Sequence, residues 1–284
     1  RTNGLVAWRA HGSELVQSPL RPDFWRAPTD NDRGRHDGKS QIVWRNAHEN
    51  SVARSFNVAP KLDRVEVTAE WLLPGAGGAS WTTAYKVFNS GDVVVSAEFK
   101  PGEKKLPTLP RLGMQMNLPG EFKRVSWFGP GPQETYADRK DARTGLHSGS
   151  VEEQFYPHYT EPGESGNKTD VRWVALTNAK GAGLLASSVG AQLLSVNALP
   201  HTTDDLQGPK HAFEIPHRDF TVLNLDYRQQ GLGGDDSWGA WPHKEFQIPC
   251  ATARYEFRLR PLASGEDAAK LARVSFVEDS LAEQ

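Results

Sequence analysis

The chain of 284 residues carries 33 Lys and Arg against 35 Asp and Glu, a formal net charge of -2. That balance leaves no basic surplus for a phosphate backbone, so no nucleic-acid partner is expected. A single cysteine, Cys250, excludes an internal disulfide and a cysteine-built zinc site. No apolar run approaches the roughly 18 residues of a membrane helix, so no membrane partner is expected either. Nine Trp beside two Met are the compositional oddity. Large aromatics are most often core, but flat rings at an exposed rim also suit the C–H faces of sugars. The opening "RTNGLVAW" has neither an initiator Met nor a signal peptide, which predicts an upstream part and leaves the compartment open.

In chain order the first unusual stretch is "FWRAPTDNDRG", residues 24–34. Asp30 and Asp32 fit an EF-hand calcium loop poorly. Counted from Asp30, its glycine and glutamate positions hold Arg35 and Gln41. A looser sodium or calcium site stays open, because clustered hard oxygens are the preferred ligands. The plainer reading is that Asp30 and Asn31 form Asx turns that fasten the loop.

Beyond it the dominant period is two. "VEVTAEWLL" aligns Val65, Val67, Ala69 and Trp71, and "WTTAYKVF" aligns Trp81, Thr83, Tyr85 and Val87. "DVVVSAEF" follows across Asn89-Ser90-Gly91, which predicts a hairpin. "RLGMQMNL" alternates, "VRWVALTNAKGAGLLAS" predicts a second hairpin turning at 178–181, and "DFTVLNLDY" and "ATARYEFRLR" close the series. Capping-box spacing over 264–267 predicts one short helix before "AAKLAR". Many antiparallel strands joined by Gly/Pro turns predict an all-β fold, one large antiparallel β-sandwich domain over 1–284. Four stretches, 21–41, 127–169, 199–210 and 229–245, read as long insertions, the usual place for sites on a β scaffold.

No catalytic constellation stands out. Glu152-Glu153 and Asp235-Asp236 are neighbours in sequence, which in a strand sends them to opposite faces, unlike a glycosidase pair about 5 Å apart. A G-x-S-x-G elbow is absent, and "GLGGDDSW" has no helix period after it for a phosphate cradle. In "GLGGDDSWGAW", residues 231–241, the glycines permit a sharp path, Asp235 and Asp236 offer hydroxyl acceptors and Trp238 offers a flat face. That set suits a sugar subsite; a rigid turn with Trp238 wedged into the core suits it equally, and Trp241 reads as packing. In "GPGPQETYADRK" Asp138 beside Arg139 suggests a loop-anchoring ion pair. Asn167-Lys168-Thr169 is a formal glycosylation sequon.

Taken together, "FWRAPTDND", "WFGPGPQETYADRK", "YPHYTEPGESGNKTDVRW" and "GGDDSW" resemble the C-terminal domain of the large β-galactosidases of glycoside hydrolase family 2, a separate small subunit in some members. The motifs run in order from residue 24 to 238. The resemblance implies the antiparallel supersandwich also seen in galactose mutarotases, within a larger multidomain glycosidase. It implies a retaining enzyme acting on terminal β-D-galactosides such as lactose, whose catalytic glutamates lie in a TIM barrel outside this chain, and a homo-oligomer. No catalytic residue and no metal ligand are expected here; magnesium and sodium are implied for the whole enzyme, with main ligands elsewhere. Trp238 matches the residue that stacks on substrate, and Gly34 the hinge of a mobile loop. Asp30, Asn31, Asp32, Asp235 and Asp236 would then shape the site. Residues 35 to 44, and Gly163 and Ser165, depart from the family pattern. A free-standing aldose mutarotase, with His158 and Glu164 as acid and base, or a carbohydrate-binding module are the alternatives.

Overall fold

The computed structural model describes residues 4–35, 41–236 and 238–274. In chain order the strands are β1 (Arg9–Ala10), β2 (Ser13–Glu14), β3 (Ser18–Asp23), β4 (Val52–Pro60), β5 (Arg64–Leu73), β6 (Ala79–Phe88), β7 (Val93–Lys100) and β8 (Arg111–Pro119). They continue as β9 (Arg124–Gly131), β10 (Arg143–Ser150), β11 (Lys168–Val171), β12 (Trp173–Thr177), β13 (Gly183–Ser188), β14 (Leu194–Leu199), β15 (Phe220–Gln229) and β16 (Ala253–Leu262). Among the described residues the helices are α1 (Asp30–Gly34), α2 (Thr203–Gln207) and α3 (Ala268–Ala272). None is long and apolar enough to cross a membrane.

Nine strands form one sheet in the order β10-β9-β12-β13-β16-β7-β6-β5-β4, and five form another, β11-β14-β15-β8-β3. All pairings are antiparallel, as the expected all-β class requires. The period of two does what the sequence predicts. Along β6, Trp81, Thr83 and Tyr85 are buried, and along β8 so are Met114, Met116 and Leu118. Both hairpins form: β6 turns into β7 at Gly91, with φ at 84°, a conformation glycine adopts without Cβ strain, and β12 turns into β13 at 178–182.

The inner faces of the two sheets share one core. Phe24, just beyond β3, meets Trp81 and Phe99 of the larger sheet with ring centroids 5.5 and 5.8 Å apart. Tyr255 of β16 donates its hydroxyl to the Leu225 carbonyl of β15 at 2.8 Å. On the outer face of the nine-stranded sheet, α3 packs Ala268 and Leu271 against a small cluster that includes Trp173 and Leu262.

Three expectations need correction. The stretch 127–169 is not one insertion, since it contains the end of β9, all of β10 and the start of β11; likewise 21–23 belongs to β3. The capping box before α3 does not form: Asp267 is the N-cap and accepts from the Lys270 N–H at 3.1 Å, while Ser264 donates to the Lys180 carbonyl. Finally, "DNDRG" is helical rather than a run of Asx turns.

Candidate functional site

Both β3 and β15 pair antiparallel with β8, Asp23 facing Gly113 and Gln229 facing Arg111. The chain therefore leaves β3 and β15 at the same end of the five-stranded sheet. Residues 24–35 and 230–241, the two unusual stretches, emerge side by side.

Thr29 caps α1, accepting from the Asp32 N–H at 3.2 Å while Asp32 accepts from the Thr29 N–H at 3.0 Å. The same Asp32 carboxylate takes two parallel bonds from buried Arg26, and Arg35 lies 2.5 Å from its Oδ1. Burial works against the charge of Asp32, but Arg26, the Thr29 N–H and Arg35 together outweigh it and hold the carboxyl below its usual range. Asp30 pairs with Arg33 at 3.1 Å, and Asn31 donates to the Leu232 carbonyl at 3.1 Å. These acids are committed to arginines and to a helix start. Among the described residues no group of three or more His, Cys, Asp or Glu is placed to hold a metal ion.

The neighbouring stretch is gripped from two sides. Arg26 donates to the carbonyls of Gln230 and Gly231 at 2.5 and 3.1 Å. Asp138, expected to pair with Arg139, instead accepts from the backbone N–H groups of Leu232 and Gly233 at 3.0 and 2.9 Å. The glycines of "GLGG" serve close approach. A Cβ on Gly231 would lie 2.7 Å from the Asp138 carboxylate, and one on Gly233 would lie 2.8 Å from the Asn31 amide.

Beyond the grip, Trp238 stands 79% exposed, so it is not wedged into the core. Of the other tryptophans, Trp25, Trp44, Trp71, Trp81, Trp127 and Trp173 are buried. Asp236 accepts from the N–H groups of Trp238, Gly239 and Ala240 through one oxygen at 2.9–3.0 Å. Those bonds, the one from Ala240 first, hold its carboxyl below the usual range. Asp235 faces His243 at 2.9 Å, and Arg35 sits over the Trp241 ring at 5.3 Å. Both acids read as hydroxyl acceptors thus have protein partners; Trp241, expected to pack, is exposed, with Arg35 over one face of its ring.

Beside α1 opens a cleft of about 160 Å³ lined by Thr29, Asn31, Tyr159, Glu161, Glu164 and Leu232, among others. Glu164 of that lining belongs to a buried polar network that sequence reasoning missed. Arg111 reaches Asp23, Glu164 and Asp226 at 3.3, 3.3 and 3.0 Å, and Glu164 also accepts from Asn197 and Gln229. Three carboxylates around one guanidinium cannot all be matched. Burial, with the charges of Asp23 and Glu164, pushes the Asp226 carboxyl well above its usual value despite Arg111. The signal was weak, since Arg111 sits in β8, Asn197 in β14 and both Asp226 and Gln229 in β15, three strands that nothing local connects. Glu164 faces this network while His158 packs on Tyr156, so the two do not form an acid–base pair. Asn167, of the sequon, is buried and bonded to Thr135 and Ser195, out of reach of glycosylation in the folded chain.

Gly34 is the last residue of α1. The residues that follow it at 36–40, part of the stretch expected to depart from the family pattern, lie outside the described residues, as does Ser237.

Residues 1–260 match a protein-family model described as β-galactosidase small chain. The chain is similar to a β-galactosidase of Priestia megaterium, 36% identical over 265 residues that make up 92% of this chain and 25% of that protein. It is also similar to a β-galactosidase of Lactobacillus delbrueckii subsp. bulgaricus, 37% identical over 250 residues, 88% of this chain and 24% of that protein. The chain thus spans about a quarter of the length of the curated relatives it matches. A solved galactose mutarotase related enzyme from Lactobacillus acidophilus is similar with a TM-score of 0.41 at 9% identity, over 74% of this chain and 72% of that one.

Proposed function

The chain belongs to the β-galactosidase small-chain family, and on that premise we propose that it is the C-terminal domain of a retaining β-galactosidase acting on terminal β-D-galactosides such as lactose. In this reading the two glutamates of the double displacement belong to a TIM-barrel domain of the same enzyme. Magnesium and sodium are assigned to that remainder too; the donors around α1 are already paired with arginines. This chain's contribution is positioning, which lowers the barrier by holding the sugar in a reactive pose. The whole enzyme would be a homo-oligomer.

Trp238 is the observation that carries the reading. An indole left 79% exposed, in a chain that buries six others, is free to meet a ligand. Its turn is held by the three Asp236 bonds, so the ring is presented on a fixed base. A flat ring at a polar rim stacks on the apolar face of a galactoside. Gly34, at the end of α1, is the proposed hinge beside it.

The test is hydrolysis of a chromogenic β-galactoside by the native enzyme carrying Trp238→Ala. We expect KM to rise about three- to tenfold, the worth of one aromatic contact, with kcat less affected, and no turnover by the 284 residues alone. Turnover by the isolated chain, or an unchanged KM in the variant, would overturn the proposal.

A further inference from the structure

The segment leading to Trp238 has no regular secondary structure between the end of β15 and the turn, yet most of its polar backbone groups at 230–233 are engaged by side chains from elsewhere. Arg26 takes the carbonyls of Gln230 and Gly231, Asn31 takes that of Leu232, and Asp138 takes the N–H groups of Leu232 and Gly233. Arg26 is in turn fixed by Asp32, inside α1. Asp138 comes from the connection between β9 and β10, 94 and 95 residues away in sequence.

We propose that Asp138 is a positioning residue for Trp238, and that its carboxylate, working against Arg26 and Asn31, locks the 230–233 segment to α1 so that the Trp238 turn rises from a fixed base. The inference rests on the reading of Trp238 as the sugar-stacking residue but concerns a different residue and a different step, the ordering of the loop.

Two features argue for a built clamp. First, both N–H groups meet one carboxylate, whose charge strengthens each bond relative to a neutral acceptor. Second, the closeness of the fit excludes side chains. A Cβ on Gly231 would be 2.7 Å from the Asp138 Oδ2, and one on Gly233 would be 2.8 Å from the Asn31 Nδ2. Real Cβ atoms do not come so close, so glycine at 231 and 233 is what allows the Asp138 and Asn31 side chains to reach the backbone. A rigid base reduces what the ring loses in freedom when a sugar binds, which is how preorganisation raises affinity.

The experiment compares the native enzyme with Asp138→Ala, Asp138→Asn, Trp238→Ala and the Asp138→Ala/Trp238→Ala double variant. The first readout is amide hydrogen exchange of peptides covering 230–241, with β15 and β8 as internal references. Asp138→Ala is expected to speed exchange across 230–241 by about tenfold or more, the loss of at least one charge-assisted bond. Asp138→Asn, which keeps one acceptor oxygen, should fall between, and β15 and β8 should not move. The second readout is kinetic: KM rises in Asp138→Ala with kcat less affected, and the double variant is no worse than Trp238→Ala.

Unchanged exchange at 230–241, or exchange raised equally in the reference strands, would overturn the clamp. So would fast exchange together with an unmoved KM in Asp138→Ala while Trp238→Ala raises it. If Trp238→Ala itself leaves KM unchanged, the functional reading fails, and local exchange still decides whether Asp138 orders the loop.

Discussion

Arg26 and Asp32, six residues apart, face each other through two nearly parallel bonds, Nε to Oδ2 at 3.0 Å and NH2 to Oδ1 at 2.9 Å, with both side chains almost wholly out of water. One pair therefore holds the start of α1 and, through the remaining Arg26 donors, the carbonyls that follow β15. Removing the acid while leaving the guanidinium buried is the damaging change. Asp32→Ala is expected to cost about 3–5 kcal/mol of stability, read by denaturant unfolding at neutral pH. The sign with pH follows from its depressed carboxyl. The stabilisation is present above the unfolded-state value and is lost as pH falls through the lower folded value, so the variant and the parent converge at strongly acid pH.

Asp226 behaves in the opposite sense. Its carboxyl is raised by burial and faces Arg111, Asp23 and Glu164. Below its unfolded value of about 4 it carries no penalty. As pH climbs, the unfolded chain releases this proton while the folded chain keeps it, so stability falls until the folded value is passed. Arg111 Nε lies 3.0 Å from Asp226, but neither Asp226 oxygen has an aligned hydrogen bond, so an amide of the same shape loses little. Asp226→Asn should be more stable than the parent at pH 7, with the gain shrinking toward about pH 4. A gain that grows on acidification would refute the assignment of the proton to Asp226.

Trp238 and Trp44 make a matched pair for a stability test. Trp44 is fully buried against Phe24 and Phe99, whereas Trp238 is mostly in water. Trp44→Ala should cost about 3–5 kcal/mol. Trp238→Ala should stay within about 0.5 kcal/mol, as surface changes do. A large loss at Trp238 would mean that the ring is structural.

Gly231→Ala probes the close approach of Asp138 without touching a charge. The added carbon would meet the Asp138 carboxylate at 2.7 Å and the Phe246 Cβ at 3.0 Å. Overpacking of this kind costs about 1–3 kcal/mol. Thermal unfolding of Gly231→Ala should show that loss, and combining it with Asp138→Ala should add less than the two separately, because the clash partner is gone.

The strands legible in the sequence are the ones with one clear buried face. β5, β6, β7, β8 and β16 alternate because one side meets the shared core. The strands that escaped notice are mainly sheet edges. β4 is exposed along almost its whole length and carries a register shift between Ala53 and Ser55; β10 is polar and interrupted by glycine; β3 contains two prolines that an edge tolerates. Around the site, "FWRAPTDNDRG" and "GLGGDDSWGAW" were recognisable as unusual, but the partners of their acids were not. Asp32 finds Arg26 nearby in sequence, yet Asp138 reaches Leu232 across 94 residues.

Taken alone, the sequence determined the all-β class, both hairpins and the presence of two unusual loops, because the pleat repeats every two residues and tight turns need particular residue types. The tertiary structure decided which carboxylate meets which arginine or N–H group, that burial raises the Asp226 carboxyl above its usual value, and that Trp238 points to solvent while six other tryptophans do not. Those are questions of burial and of distances between residues far apart in the chain, and periodicity carries information about neither.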